Sequence, residues 1–141
     1  MPIRSGRATW RGDLKSGHGR VDVESGTFDA DYSFPSRFEA GEGTNPEELL
    51  GAAHAACFAM ALSNLMAGEG HSPERVSAEA RVHLSTDGGA HLERIELVCE
   101  AEVPDLDADA FRGYAERAKE SCPVSKALAA TPISLEATLL D

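Results

Sequence analysis

Apolar and polar side chains alternate in the first third of the chain, which is the pattern of β-strands with one buried face. Two such runs lie on either side of Ser25-Gly26, a pair of residues typical of a tight turn. The alternating apolar positions are Val21, Val23, Phe28, Ala30 and Tyr32. The pattern therefore predicts a half-buried β-hairpin, preceded by a short strand from Ala8 to Leu14.

A long apolar helix is predicted next. Thr44 and Glu47 have the spacing of a capping box, and Pro46 suits the first turn of a helix. The helix should extend to about Ala67, where a Gly-Glu-Gly sequence ends it. Residues 49–62 are apolar around nearly the whole circumference, so this helix must be covered on all sides. A chain of 141 residues hardly supplies that cover alone, and we infer that a second subunit supplies part of it.

The second half of the chain predicts strands and helices in an order that indicates an α+β fold. Strands are expected at 76–84, 95–103 and 133–139, and helices at 108–121 and from Pro123 to about Ala130. Asp107 is placed to cap the first of these helices. Strands, a buried helix, strands, helices and a last strand do not form alternating βαβ units. The sequence has no repeat or linker, and we expect a single domain over residues 1–141.

Charge and the N-terminal sequence restrict the partners of the protein. A net charge of −11 argues against nucleic acid, because phosphate binding needs clustered Lys and Arg, and it disfavours anionic membranes. The longest apolar stretch, residues 49–62, is shorter than the roughly 20 residues of a membrane span. No apolar signal-peptide region follows Met1, so we expect a cytoplasmic protein whose partner is a small molecule or another protein.

Three cysteines, an odd number spread along the chain, do not make a disulfide framework. Cys99 lies on the inward face of a predicted strand, and we interpret it as a small buried apolar residue. Cys57 lies in the middle of the apolar helix, where burial raises the pKa of a thiol unless a positive group is close. Cys122 directly precedes Pro123 at the start of a short helix, where unpaired amides favour a thiolate, and a core position is an equal alternative. Spacing alone does not show that Cys57 and Cys122 meet.

Three segments of the sequence closely resemble the OsmC/Ohr family, and in particular its osmotically inducible protein C branch. They are Arg37-Phe38-Glu39, the run TNPEELLGAAHAACF at residues 44–58, and Cys122-Pro123-Val124-Ser125. The resemblance extends over nearly the whole chain. It implies an OsmC-like α+β fold, with antiparallel sheets around a long buried central helix, in an intertwined homodimer.

The resemblance also implies an activity, the reduction of organic hydroperoxides by a pair of thiols without a metal, flavin or other cofactor. By position, Cys57 resembles the peroxidatic cysteine and Cys122 the resolving cysteine, with which it would form a disulfide. Arg37 resembles the arginine that activates the thiolate, and Glu47 resembles its acidic partner. An external dithiol would reduce the disulfide, and the Ohr branch implies a lipoyl-type reductant.

The positions of Glu47 and Cys57 have a consequence for the subunit arrangement. They are ten residues apart on the same predicted helix, which is about 15 Å along its axis, and no side chain spans that gap. If both belong to one site, as the resemblance implies, Glu47 must reach Cys57 of a second subunit. An antiparallel pairing of two apolar helices would allow this.

Two alternatives remain open. His54 and Cys57 lie at i and i+3 on one helix face, a spacing that can hold zinc, although two ligands are too few. His54 could also serve as a general base for Cys57. The second alternative is a non-catalytic carrier of a small apolar ligand in the groove of the dimer. A carrier needs neither paired cysteines nor Arg37 with Glu47.

Overall fold

The computed structural model describes residues 1–141, which divide into two compact units, Met1–Leu49 and Leu50–Asp141. The single domain over residues 1–141 stays a prediction. The N-terminal unit contains an antiparallel sheet in the order β1-β2-β3. Its strands are β1 (Gly6–Arg11), β2 (His18–Val23) and β3 (Asp29–Tyr32). The predicted hairpin is confirmed as β2 and β3, whereas the first strand begins and ends earlier than predicted.

Gly19 in β2 allows two aromatic rings to pack against the N-terminal sheet. A Cβ atom at this position would lie 2.4 Å from the ring of Tyr32 and 2.7 Å from the ring of Trp10. The two ring centroids are 5.4 Å apart. Together with Phe34 and Phe38 they line a cavity of about 400 Å³ that also includes Arg37.

A short helix, α1 (Phe34–Phe38), follows β3 and carries Arg37. The hydrophobic pattern does not predict it. Ser33 and Ser36 start this helix with a capping box, in which each backbone amide donates to the hydroxyl of the other residue. The Ser36 hydroxyl also lies 2.7 Å from the carbonyl oxygen of Thr44, which ties α1 to the loop ahead of the next helix.

The C-terminal unit contains a second sheet in the order β4-β5-β6, with strands β4 (Arg75–Ser85), β5 (His91–Glu102) and β6 (Ile133–Leu140). β4 and β5 are antiparallel, but β5 and β6 are parallel. The prediction of antiparallel sheets is therefore wrong for this pair. The reason is the connection, because α3 (Ala108–Ser121) and α4 (Pro123–Ala127) form the crossover that parallel strands require.

Helix α2 (Pro46–Gly68) is the long central helix of the α+β fold, as predicted. Within the chain it is buried along one face, at Gly51, His54, Phe58, Leu62 and Met66. The opposite face is exposed at Ala52, Ala53, Ala56 and Met60. The helix is thus apolar on both faces but buried on only one, and the second subunit inferred from the sequence stays a prediction.

Asn45, and not Thr44, caps the start of α2. The amide of Glu48 donates to the side-chain oxygen of Asn45 at 2.7 Å, and the Thr44 hydroxyl donates to the carboxylate of Glu48 at 2.9 Å. The predicted capping box between Thr44 and Glu47 is therefore wrong. The carboxylate of Glu47 has another partner, Arg37.

Helix α2 is long and apolar enough to cross a membrane, by length and composition alone. The sequence argument did not predict this, because it considered only the shorter apolar stretch at residues 49–62. Its fully buried residues nevertheless pack in one core with side chains of β5 and α3. From β5 and α3 that core contains Leu97, Cys99, Ala101, Phe111, Ala115, Ala118 and, just after α3, Cys122. The inward face predicted for β5 is confirmed, and one face of α2 belongs to this core.

Candidate active site

Cys57 and Cys122 lie together in the C-terminal unit. Their Sγ atoms are 3.0 Å apart, although 65 residues separate them in the sequence. Cys57 lies in the middle of α2 and is partly accessible, whereas Cys122 is fully buried between α3 and α4. No disulfide joins any of the three cysteines in the structure. The structure therefore brings together the two sulfur atoms that the resemblance assigns to one redox pair.

The two helices around Cys122 fix its position. The inner face of α3 continues through Ala115 and Ala118 to Cys122, and all three have no exposed surface. The Cys122 amide donates to the carbonyl of Ala118 at 2.9 Å, which completes the last turn of α3. Its carbonyl accepts from the amide of Lys126 at 3.0 Å, and Pro123 begins α4. The side chain is thus held toward α2 by the backbone on both sides.

The surroundings of Cys57 and Cys122 shift the pKa values of the two thiols in opposite directions. Burial raises the pKa of Cys57, and the contact with Cys122 adds to this, against a hydrogen bond from the Val124 amide. Burial also raises the pKa of Cys122, but the polar groups around its sulfur, first Cys57 and then Ser125 and Val124, lower the pKa by more. The pKa of Cys122 therefore falls below its ordinary value. This direction suits surroundings that favour a thiolate, whereas the complete burial of Cys122 suits the alternative of a core position, and the role of Cys122 stays a prediction.

Cys99 is separate from this pair. It is buried in β5, and burial raises its pKa to about 11. At neutral pH such a thiol remains protonated and unreactive. The interpretation of Cys99 as an inert core residue agrees with this setting.

A buried polar pair lies next to Cys122. Nε2 of His54 is 2.7 Å from the hydroxyl oxygen of Ser125, and both residues are buried. Burial lowers the pKa of His54, so the imidazole is neutral at neutral pH. The spacing of His54 and Cys57 singled out the histidine in the sequence, but nothing in the sequence shows that its partner is Ser125, 71 residues later.

Arg37 and Glu47 form the second pair of predicted site residues, within the N-terminal unit. Nε and Nη2 of Arg37 donate to the two carboxylate oxygens of Glu47 at 2.9 Å and 2.8 Å. This forked geometry fixes the plane of the guanidinium group. Glu47 is buried, whereas a third of the Arg37 side chain is exposed. The guanidinium also lies 5.2 Å from the centre of the Phe38 ring.

An open groove of about 690 Å³ lies beside Cys57. Its lining is mainly apolar and includes Met60, Ala61, Leu65 and Pro123, with Asn64 as a polar neighbour. Met60 is 75% exposed, so its side chain is open to solvent in the single chain. A small apolar molecule can therefore reach the sulfur of Cys57, whereas Cys122 has no accessible surface.

No group of three or more His, Cys, Asp or Glu side chains in the structure has an arrangement that could hold a metal ion. Of the two residues considered for zinc, His54 bonds to Ser125 and Cys57 contacts Cys122. The geometry around these two residues is that of a thiol pair with a buried histidine nearby.

The sequence matches the family model described as OsmC-like protein over residues 39–137. It is 46% identical to Peroxiredoxin OsmC of Escherichia coli over 129 residues, which cover 90% of each chain. It is 32% identical to the organic hydroperoxide resistance protein OhrB of Bacillus subtilis over 128 residues, 90% of this chain and 91% of that protein.

Solved structures give the same result for the fold. The crystal structure of OhrB of Bacillus subtilis superposes with a TM-score of 0.69 at 29% identity, over 96% of this chain and 98% of that one. An OsmC-like protein of Vibrio cholerae superposes with a TM-score of 0.76 at 16% identity, over 97% and 99% of the two chains, which supports the fold alone. The chain belongs to the OsmC-like protein family.

Proposed function

We propose that this chain is a thiol-dependent peroxidase that reduces organic hydroperoxides to alcohols through Cys57 and Cys122. Relatives named peroxiredoxin and organic hydroperoxide resistance protein support a cysteine-based peroxidase. The observation that carries the proposal is the 3.0 Å contact between an accessible thiol and a buried one. A carrier of a small apolar ligand would need the groove but not this pair of sulfur atoms.

The proposed reaction begins when the Cys57 thiolate attacks the outer oxygen of the hydroperoxide. A sulfur–oxygen bond forms, the oxygen–oxygen bond breaks, and the alkoxide leaves and takes up a proton as the alcohol. Cys57 is thereby oxidised by two electrons to a sulfenic acid. The Cys122 thiolate then attacks the Cys57 sulfur, and the sulfur–oxygen bond breaks. The hydroxide that leaves takes up a proton as water, and a Cys57–Cys122 disulfide remains.

An external dithiol completes the proposed cycle by reducing the disulfide, and no bound cofactor takes part. The resemblance to the Ohr branch suggests a lipoyl-type dithiol as the reductant. Three cysteines, an odd number that makes no disulfide framework, suit a reducing compartment, so we place the enzyme in the cytoplasm, in defence against oxidative or osmotic stress. The apolar lining of the groove beside Cys57 favours an organic hydroperoxide over hydrogen peroxide.

Arg37 and Glu47 have a proposed role as the activating pair. Burial raises the pKa of Cys57, so this thiol needs a nearby cation to become a nucleophile. Arg37 is suited to that role, because Glu47 fixes the orientation of its guanidinium while part of it stays accessible. About 15 Å of helix separates Glu47 from Cys57 in the same chain. We therefore propose that the pair acts on Cys57 of the partner subunit in a homodimer.

The first test is the loss of the attacking thiol. Cys57→Ser should abolish turnover of cumene hydroperoxide with a dithiol reductant, because no other accessible thiol can take its place. Cys99→Ser is the matched control and should keep nearly full activity, since Cys99 is buried and protonated. Undiminished turnover in Cys57→Ser, measured by peroxide consumption, would disprove the proposed function.

A further inference from the structure

The side chain of Asn45 makes one hydrogen bond more than a helix cap needs. Its oxygen accepts from the amide of Glu48 at 2.7 Å, which caps α2. Its nitrogen donates at 3.0 Å to the carbonyl oxygen of Ser36, in α1. The two partners fix the orientation of the amide, because one is an N–H group and the other a carbonyl oxygen. Serine and aspartate cap helices as well as asparagine does, but neither has an amide nitrogen to donate, so the cap does not explain the second bond.

The carbonyl that Asn45 binds belongs to the peptide group that leads into Arg37. The amide of that group, on Arg37, donates to the carbonyl of Ser33 at 3.2 Å. Helix α1 ends at Phe38, so no amide of the helix reaches the Ser36 carbonyl, and the Asn45 side chain binds it instead. Both polar groups of this peptide are therefore bonded, and the backbone that enters Arg37 is held on two sides.

The hydroxyl of Ser36 makes a second bond between the same two segments. Ser36 is buried, and the nearer of its two carbonyl acceptors is that of Thr44, at 2.7 Å, against 3.1 Å for that of Ser33. Since a hydroxyl has one proton, it donates to Thr44. A helix as short as α1 is unstable in isolation. The bonds to Asn45 and Thr44 therefore hold α1 against the residues that begin α2.

The start of α2 also holds the other end of Arg37. Glu47, two residues after Asn45, binds Nε and Nη2 of the guanidinium at 2.9 Å and 2.8 Å. A forked bond needs the two planar groups to be aligned, so it depends on the place of α1 relative to the start of α2. Asn45 thus fixes the backbone of Arg37, and Glu47 fixes its guanidinium.

We propose that Asn45 is a positioning residue for Arg37. Its hydrogen bond to the Ser36 carbonyl holds α1, and with it the guanidinium, in the place from which Arg37 activates Cys57. This inference rests on the proposed function, in which the activated Cys57 belongs to the partner subunit. The attraction between two charges weakens as their distance grows, so a guanidinium that is free to move stabilises a thiolate less.

Asn45→Ser tests the bond, because serine keeps the cap of α2 but lacks the nitrogen donor. The rate of alkylation of Cys57 by iodoacetamide is measured over a range of pH in a Cys122→Ser background. At neutral pH the rate should fall by roughly fivefold, the size expected for the loss of one neutral hydrogen bond. At high pH, where the thiol is ionised in both proteins, the two rates should converge, which shows that the pKa of Cys57 has risen.

Thr44→Val is the matched control. It removes a neighbouring hydroxyl that bonds to the Glu48 carboxylate, but it leaves the backbone carbonyl that Ser36 uses. The alkylation rate should not change at any pH.

An Arg37→Ala background distinguishes positioning from support of the fold. Asn45→Ser should have no further effect there, because no guanidinium remains to be placed. General damage to the fold would change the alkylation rate in both backgrounds. If Asn45→Ser does not fold, Asn45→Asp, which also keeps the cap and lacks the donor, decides by the same comparison.

Two results would overturn the inference while leaving the peroxidase proposal intact. One is an unchanged alkylation rate in Asn45→Ser when Arg37→Ala alone slows the reaction. The other is an equal slowing by Asn45→Ser with and without Arg37, which would mean that Asn45 does not act through the guanidinium. An unchanged rate in Arg37→Ala itself would instead contradict the activating role in the proposed function, and the inference with it.

Discussion

At the scale of single residues, the accessible thiol and the acidic thiol are different cysteines. Cys57 lines the groove, but burial raises its pKa, whereas the polar groups around Cys122 lower the pKa of a sulfur that has no exposed surface. A peroxidase needs its thiolate at the accessible position. In the single chain the pKa is lowered at Cys122, which suits the attack that forms the disulfide. The pKa is raised at Cys57, so its activation needs a cation from elsewhere.

Arg37 is the residue that we expect to supply this cation. Arg37→Ala should slow the alkylation of Cys57 by iodoacetamide at neutral pH by roughly tenfold, because a nearby positive charge lowers a thiol pKa by about one unit or more. The rate is measured in a Cys122→Ser background so that one reactive thiol remains. Arg20→Ala is the control, since Arg20 is exposed and paired with Asp29 and Asp31. An alkylation rate unchanged by Arg37→Ala would assign activation to another residue.

At the scale of the elements, helix α2 positions Cys57 by lying very close to β4. A Cβ atom on Gly51 would be 2.8 Å from the carbonyl oxygen of Ala80, so the helix approaches the strand backbone where only glycine fits. About two and three turns further along the same buried face, Phe58 and Leu62 enter the core. The close contact of Gly51 with Ala80, six residues before Cys57, therefore sets how near Cys57 lies to the sheet.

Gly51→Ala tests this contact. The new methyl group meets a backbone atom that cannot move aside, so we expect unfolding to become easier by about 1–3 kcal/mol. Gly113→Ala is the matched control, because Gly113 lies in α3 with nothing within 4 Å of an added Cβ. There the substitution should stabilise the protein by about 0.5–1 kcal/mol. Denaturant unfolding measures both, and equal effects of the two substitutions would contradict the close approach of α2 to β4.

Local signals in the sequence predicted some elements well. Helix α3 has the predicted bounds because Asp107 caps it, with its side chain accepting from the Ala110 amide. The orientation of β6 was not predictable in this way, since alternation shows which face of a strand is buried but not the direction of its neighbour. Helix α1 is a single turn started by two serines, too short for any periodicity to reveal.

The candidate site was predictable in the types of its residues but not in their contacts. The sequence singled out Cys57 and Cys122, and the forked bond from Arg37 explains why Glu47 does not cap its own helix. The contact of Cys57 with Cys122 spans 65 residues, so only the packing of α2 against α3 and α4 brings them together. The same holds for His54 and Ser125, whose pairing no local spacing indicates.

At the scale of the whole molecule, the exposed apolar face of α2 requires a covering surface. Ala52, Ala53, Ala56 and Met60 are exposed along one side of a helix whose other side is in the core. Exposed apolar faces of this kind mark interaction sites. In the proposed homodimer a second copy would cover this face. Since about 15 Å separates Glu47 from Cys57 along one helix, we expect Glu47 to act on Cys57 of the partner subunit.

A mixture of two inactive variants tests the shared site. Glu47→Ala and Cys57→Ser should each be inactive alone, but a heterodimer of the two carries one intact site. After complete subunit exchange at equal amounts, half of the dimers are heterodimers, and peroxide consumption should recover to about a quarter of the parent activity. Exchange is verified by native mass spectrometry. If exchange is complete and activity stays absent, Glu47 does not act across the interface.

The most direct test of the thiol chemistry is to map the disulfide after a single turnover. The reduced protein receives one equivalent of cumene hydroperoxide, remaining thiols are alkylated after unfolding, and peptides are identified by mass spectrometry. The account predicts a Cys57–Cys122 disulfide in most of the protein, with Cys99 alkylated as a free thiol, because the two sulfur atoms lie 3.0 Å apart and Cys99 is buried and protonated. A disulfide that includes Cys99, or loss of peroxide with both Cys57 and Cys122 still free, would contradict it.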